Sequence, residues 1–158
     1  MKLNIPSDGT KIGHDGDKLV VPDNPIIPYI IGDGIGIDVT PVMKRVLDYA
    51  VNKAYGNSRE IKWLELYAGS NSEELYGSIL PEETIDAMKE YRISIKGPLT
   101  TPIGKGHKSI NVRIRQKLDL FACVRPIKYF PGTSTPMAES GLTDMVVFRE
   151  NTEDLYSG

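Results

Sequence analysis

The feature that most constrains the fold is an alternation of strand-like and helix-like segments from residue 26 onward. Five short runs rich in large apolar residues predict strands, and they span 26–31, 61–68, 92–96, 120–124 and 145–148. Helical spacing and helix-start residues predict helices over about 38–54, from Pro81 onward, and over about 109–118. Strands that alternate with helices favour an α/β architecture with at least partly parallel pairing.

Composition narrows the functional classes. The 158 residues carry 19 Lys+Arg and 21 Asp+Glu, a net charge of −2, which does not suggest a nucleic-acid or anionic-membrane partner. Cys123 is the only cysteine, so an intrachain disulfide is excluded. The sequence has no apolar run long enough to span a membrane, and its first residues lack the apolar core of a secretory signal. We therefore expect a cytoplasmic protein.

The glycine-rich segment 32–36 follows the first predicted strand and precedes the first predicted helix. A Rossmann fingerprint places glycines at relative positions one, three and six, whereas Gly32, Gly34 and Gly36 occupy one, three and five. Asp33 inside the turn would also repel a pyrophosphate. The segment predicts a tight strand-to-helix turn that needs positive φ, and not a true Rossmann site.

Three arginines and a helix start are candidates for an anion site. Ser109 can cap the third predicted helix, whose free N–H groups suit a carboxylate or phosphate, and Asn111 and Arg115 share one face of that helix. Arg125 and Arg149 are predicted at strand ends, where ligands gather in α/β sheets. Spacing alone leaves two interpretations open: a site for a small polyanion, or ordinary solvated charges.

Taken together, four segments resemble bacterial NADP-dependent enzymes of the isocitrate/isopropylmalate dehydrogenase family. They are residues 32–36, 96–102, 109–115 and 148–156, and they occur in the family's order. The resemblance implies that family's α/β fold, incomplete in this chain. It also implies oxidative decarboxylation of isocitrate to 2-oxoglutarate and CO₂ with reduction of NADP⁺, a reaction of the tricarboxylic acid cycle.

The resemblance also assigns roles to individual residues. The residues implied to bind isocitrate are Ser109, Asn111, Arg115, Arg125 and Arg149. Tyr156 matches the family's catalytic tyrosine, an acid in the protonation that follows decarboxylation. The residues implied to contact NADP are Thr100, with Lys96, Leu99, Thr101 and Asn111 as weaker candidates. Ser109 also matches a regulatory phosphorylation site of enteric-type relatives, which implies a kinase/phosphatase partner.

Further expectations concern the parts of the family enzyme beyond this chain. The Mg²⁺ or Mn²⁺ ligands, the catalytic lysine and the segment that distinguishes NADP from NAD are expected downstream, with no metal ligands here. We therefore expect an N-terminal fragment of a homodimer subunit that is inactive alone. Residues 1–120 are expected to begin the large domain and 121–158 the small one. Isopropylmalate or homoisocitrate dehydrogenase activity and a non-enzymatic anion-binding module remain alternatives.

Overall fold

The computed structural model describes residues 2–100 and 109–153 of the chain. Two units are described separately, Met1–Ile114 and Arg115–Gly158. The elements in chain order are β1 (Gly13–Asp15), β2 (Lys18–Val20), β3 (Ile26–Ile30), α1 (Gly36–Tyr55), β4 (Lys62–Leu66), α2 (Ser70–Tyr76), α3 (Glu82–Tyr91), β5 (Ile95–Lys96), α4 (Ile110–Lys117), β6 (Ala122–Lys128) and β7 (Asp144–Glu150). The division of 1–120 from 121–158 into large and small domains stays a prediction.

A parallel three-stranded sheet forms the core of the first unit. Its strand order is β4-β3-β5, and β3 pairs in parallel with both neighbours. All five residues of β3 are buried, as expected for a parallel strand covered on both faces. The largest buried side chains around it include Leu64, Leu66, Ile85 and Tyr91. The predicted α/β class with parallel pairing is confirmed.

Pro28 lies in the central strand of this sheet, where a proline usually removes a ladder hydrogen bond. The register explains why it is tolerated. Gly97, directly after β5, donates from its N–H to Ile30 O, and Ile26 N donates to Thr10 O. The backbone N–H and C=O groups of the even-numbered residues of β3 therefore point to the β5 side of the strand. Strand β5 begins opposite Tyr29, so the missing N–H of Pro28 interrupts no bond of the β3–β5 ladder.

Helix α1 begins at Gly36, two residues before the predicted start at about residue 38. Thr40 Oγ1 donates to Ile31 O at 2.8 Å, which joins the helix to the end of β3, and Pro41 lies inside the helix. The valines that mark its helical spacing are largely exposed, with Val42 at 55% and Val46 at 60%. Gly36 and Thr40 are the buried residues of this helix.

The sequence analysis missed α2, which is only seven residues long. Its buried Ser72 donates to Ser78 O at 2.8 Å. Helix α3 was predicted, although Pro81 precedes it as the N-cap residue and is not its first residue. Thr84, fully buried, donates to Tyr67 O at 2.7 Å and so connects α3 to the segment after β4.

The second unit contains an antiparallel hairpin of β6 and β7, with Ala122 opposite Glu150 and Lys128 opposite Asp144. Both strands are longer than the sequence indicated, because β6 continues through Arg125-Pro126 to Lys128. Most residues of the two strands are exposed. The first unit has a short antiparallel hairpin of its own, formed by β1 and β2, and Gly16 turns it with a φ of 58°.

Candidate functional site

The glycine turn brings two backbone segments into direct contact at the end of β3. Gly32 and Gly34 have φ values of 92° and 55°, as the expected tight turn requires. A Cβ on Gly32 would lie 2.2 Å from Pro98 O, and one on Gly97 would lie 1.9 Å from Ile31 O. These glycines are therefore needed for the crossing of residues 31–36 and 97–98, and no phosphate role is required to explain them.

Asp33 within this turn accepts hydrogen bonds from two distant backbone groups. Its Oδ1 accepts from Ser70 N at 2.9 Å and its Oδ2 accepts from Thr100 N at 2.8 Å. Its own N–H donates to Pro98 O at 2.6 Å. Sequence reasoning considered Asp33 only as a source of repulsion and missed this function. The available signal was a carboxylate in a glycine turn, where exposed backbone N–H groups are its natural partners.

The loop that carries the predicted cofactor residues follows β5. Lys96, the last residue of β5, donates from Nζ to Gly97 O at 2.7 Å. Leu99 is half-buried and Thr100 is exposed. A cleft of about 580 Å³ is lined by Thr100, Asp33, the glycine turn and α2. Thr101, another predicted cofactor contact, lies outside the described residues.

Helix α4 and the residue before it contain three of the predicted substrate residues. Ser109 precedes the helix, and its carbonyl accepts from Arg113 N at 3.0 Å, the first helical bond. Asn111 and Arg115 are four residues apart and both are half-buried, whereas Ile110 and Ile114 supply the buried side of the helix. The helix therefore places Asn111 and Arg115 on one face, as the spacing predicted.

The other two predicted substrate residues share one face of the β6–β7 hairpin. Arg149 lies opposite Cys123, and Arg125 lies opposite Val147. Directly paired residues point to the same face, and so do residues two apart along a strand, so the two arginines are diagonal neighbours. The expectation that Arg125 ends a strand is wrong, because it is the fourth of the seven residues of β6. Arg149 is the penultimate residue of β7.

The turn after β7 is organised by Glu150. Its carboxylate accepts from Thr152 N at 2.8 Å and from Glu153 N at 2.7 Å. The backbone hydrogen bond from Thr152 is the main cause that lowers the pKa of Glu150 below its usual value. Asn151 is buried beside it. Tyr156, the predicted catalytic residue, lies outside the described residues.

The parts of the chain that the structure describes contain no cluster of three or more His, Cys, Asp or Glu suited to a metal ion. Over the same residues, no helix is both long and apolar enough to cross a membrane.

Comparison with known proteins now decides the family. The sequence model described as isocitrate/isopropylmalate dehydrogenase matches residues 26–158. The chain belongs to this family. It is 56% identical over 159 residues to isocitrate dehydrogenase (NADP) 1 of Colwellia maris, covering 99% of this chain and 38% of that protein. It is 52% identical to isocitrate dehydrogenase (NADP) of Coxiella burnetii, covering 99% of this chain and 37% of the relative.

A solved structure gives the same result for the fold of this family member. The isocitrate dehydrogenase from Methylococcus capsulatus matches with a TM-score of 0.67 and 41% identity, over 84% of this chain and 36% of that one. The predicted isocitrate/isopropylmalate dehydrogenase-like fold is therefore confirmed. The chain spans somewhat more than a third of the length of the curated relatives that it matches.

Proposed function

We propose that a subunit containing this chain oxidises isocitrate with NADP⁺ and releases CO₂ to give 2-oxoglutarate. The observation that carries the proposal is the identity of 56% over 99% of the chain to a protein named isocitrate dehydrogenase (NADP) 1. Family membership supports the class of reaction, because the description of the family names two dehydrogenases, one for isocitrate and one for isopropylmalate.

The proposed substrate residues include three arginines whose positive charges complement the negative charges of isocitrate. Isocitrate is a small trianion, and an arginine can bind a carboxylate with two parallel hydrogen bonds while it remains charged at any working pH. We assign this function to Arg115, Arg125 and Arg149. Ser109 and Asn111, at the start of α4, add a hydroxyl and an amide beside the first N–H groups of that helix. Tyr156 is the proposed proton donor.

Thr100 is proposed to contact the nicotinamide cofactor. The weaker candidates for this contact are Lys96, Leu99, Thr101 and Asn111. When bound, NADP⁺ would accept the hydride from the substrate. The cleft beside Thr100 is lined by two carboxylates, those of Asp33 and Glu74. Their negative charge disfavours phosphate groups, so the residues present fit only the uncharged or cationic parts of the cofactor. For a divalent ion, the described residues do not provide a ligand set.

The test compares substrates in a full-length subunit that carries this chain. We expect kcat/KM with NADP⁺ to be highest for isocitrate, because Ser109 and Asn111 offer polar contacts that isopropylmalate, with an apolar group instead, cannot use. Higher kcat/KM for isopropylmalate or homoisocitrate would reassign the substrate. Binding of isocitrate without any NADPH formation would indicate the anion-binding alternative.

Sedimentation of the same preparation tests the proposed homodimer, and cell fractionation tests the proposed cytoplasmic location.

We also propose that phosphorylation of Ser109 by a kinase, reversed by a phosphatase, inactivates the subunit. A phosphoserine carries close to two negative charges and would occupy the helix start where a substrate carboxylate is proposed to dock. Ser109→Asp introduces part of that charge, and Ser109→Asn is a neutral control of the same size that also caps helices well. We expect the KM for isocitrate to be about 100-fold higher in the Asp variant than in the Asn variant, a difference of about 2.7 kcal/mol. Equal KM values would contradict the electrostatic explanation.

A further inference from the structure

Asp33 connects three separate segments at the end of β3. The carboxylate bonds to Ser70 N, at the start of α2, and to Thr100 N, in the loop after β5. The backbone N–H of Asp33 bonds to Pro98 O. One residue therefore holds the glycine turn, α2 and the proposed cofactor loop in a fixed relation.

The surroundings leave the carboxylate almost no freedom. A Cβ on Gly69 would lie 2.5 Å from both carboxylate oxygens, so the side chain lies directly against that glycine. Gly69 has a φ of 85°, a conformation that side chains rarely adopt. A glycine is thus required at position 69 both by its backbone conformation and by the place of Asp33.

The carboxylate also determines where Thr100 lies. Two other backbone bonds attach this loop to the end of β3, Gly97 N to Ile30 O and Asp33 N to Pro98 O. Both precede Thr100, so among the hydrogen bonds of the described residues it is the bond from Thr100 N to Asp33 Oδ2 that fixes Thr100 itself. Asp33 and Thr100 line the same cleft.

We propose that Asp33 is a positioning residue for the nicotinamide cofactor, and that it acts by holding the backbone of Thr100. The inference rests on the proposed function, because it takes Thr100 as a cofactor contact. Asp33 itself is not required to touch the cofactor. A change at Asp33 should weaken cofactor binding in the ground state and transition state alike, which raises KM for NADP⁺ and leaves kcat nearly unchanged.

The main test is Asp33→Asn in a full-length subunit that carries this chain. An amide has one acceptor oxygen and an NH₂ donor, so it cannot accept from both Ser70 N and Thr100 N. We expect KM for NADP⁺ to rise about tenfold, while kcat and the KM for isocitrate change less than about twofold. The control is Asp38→Asn, an exposed residue of the first turn of α1, which removes the same charge five positions away.

Ser72→Ala separates positioning of Thr100 from general stabilisation. Ser72 is a fully buried residue of α2, and its hydroxyl donates to Ser78 O at 2.8 Å. This change removes that hydrogen bond and leaves both bonds of the Asp33 carboxylate in place. We expect a lower melting temperature with an unchanged KM for NADP⁺. An increase in KM equal to that of Asp33→Asn would overturn the proposal.

A double-mutant cycle with Thr100→Ala tests whether Asp33 acts through Thr100. If it does, the two changes together should raise KM for NADP⁺ by clearly less than the product of their separate effects. Fully multiplicative effects would overturn the proposal. So would an unchanged KM in Asp33→Asn, or an equal rise in Asp38→Asn.

Hydrogen exchange of the unsubstituted protein gives a result even if Asp33→Asn does not fold. Thr100 is exposed, so slow exchange of its amide would report the bond to Asp33, and exchange at the rate of a free amide would overturn the proposal.

Turnover of isocitrate by the unsubstituted subunit distinguishes failure of the proposed function from failure of the positioning role of Asp33. Absence of turnover counts against the proposed function, whereas normal turnover with an unchanged KM in Asp33→Asn counts against the positioning role alone.

Discussion

The parallel sheet of the first unit and the antiparallel hairpin of the second differ most in burial. Every residue of β3 is buried, and Leu64 of β4 has no exposed surface. In the hairpin, Val124 is 55% exposed and Phe148 is 69% exposed. Both regions are rich in apolar residues, so composition does not distinguish them.

Because of this difference, we expect the sheet to contribute mainly to stability and the hairpin mainly to ligand binding. Side chains buried on both faces of a parallel sheet supply most of the hydrophobic stabilisation of their unit. The hairpin instead presents Arg125 and Arg149 on one face, and the exposed guanidinium of Arg125 contributes little to folding. We therefore expect changes in the sheet to alter unfolding and changes at the hairpin arginines to alter substrate binding.

The largest expected effect comes from one substitution made in both regions, Leu64→Ala and Leu142→Ala. Leu64 is fully buried, whereas Leu142, in the connection between β6 and β7, is 79% exposed. Removing the buried side chain leaves a cavity and should lower the free energy of unfolding by about 2–5 kcal/mol. The exposed change should stay within about 0.5 kcal/mol. Urea unfolding of both variants measures this, and similar losses would remove the distinction between the regions.

Arg125→Lys is expected to have the next largest effect, and on binding only. Lysine keeps the charge and loses the two-pronged hydrogen-bonding geometry, so the KM for isocitrate should rise about tenfold, equal to about 1.4 kcal/mol. Because Arg125 is exposed, the melting temperature should not change. Arg113→Lys, on α4 but two residues from both Asn111 and Arg115, is the matched control. A tenfold effect at Arg113 and none at Arg125 would contradict the assignment.

Tyr29 makes the stability of the sheet depend on pH in the alkaline range. Its hydroxyl donates to Glu65 at 3.3 Å, and burial, followed by the charge of Glu65 and this bond, raises the pKa of Tyr29 to about 12. Lys44, whose Nζ lies 4.0 Å from the ring centre, is the nearby positive charge. Above pH 10 the unfolded phenol loses its proton first, so the unfolded state binds fewer protons and stability falls between about pH 10 and 12.

Tyr29→Phe measures that contribution. At pH 7 we expect a loss of about 1 kcal/mol or less, because one hydrogen bond is removed. Between pH 10 and 12 the stability of the variant should fall less steeply than that of the unsubstituted chain. Tyr91, whose pKa is also raised, mainly by burial, remains in both proteins and cancels in the comparison. The pKa of Tyr67 is raised mainly by burial and only to a smaller extent by Tyr29, so most of its contribution cancels as well. Parallel pH curves would show that Tyr29 is not the group responsible.

The smallest expected effect is Asp144→Asn, which breaks a cross-strand ion pair of the hairpin. Lys128 and Asp144 lie opposite each other with 3.1 Å between Nζ and Oδ2, and both side chains are 68% exposed. Water screens such a pair, so the free energy of unfolding should change by less than about 0.5 kcal/mol. A larger loss, measured by urea unfolding in low salt, would show that the hairpin depends on surface charge for its stability.

Much of the fold follows from the sequence because local patterns determine it. The run 26–31 and the glycines at 32, 34 and 36 predict a buried strand and a tight turn, and both are present. The continuation of β6 through Pro126 was not predictable from propensity, because its register is set by pairing with distant β7. Helix α2 was missed because its seven residues are too few to show helical periodicity.

The candidate site is predictable to a similar degree. The i, i+4 spacing places Asn111 and Arg115 on one helix face, and the structure agrees. The shared face of Arg125 and Arg149 depends on strand register, which local spacing does not contain. The contacts of Asp33 with residues 37 and 67 positions away are set by the tertiary fold. Residue roles came from family resemblance and stay predictions.

Product analysis tests the central claim most directly. A full-length subunit carrying this chain, supplied with isocitrate, NADP⁺ and Mg²⁺ or Mn²⁺, should form NADPH and 2-oxoglutarate in equal amounts, with one CO₂ for each. Hydride transfer and loss of the carboxylate belong to one reaction, so the three products must rise together. NADPH formation without CO₂ and 2-oxoglutarate, or no NADPH from a folded subunit that binds isocitrate, would contradict the proposed function.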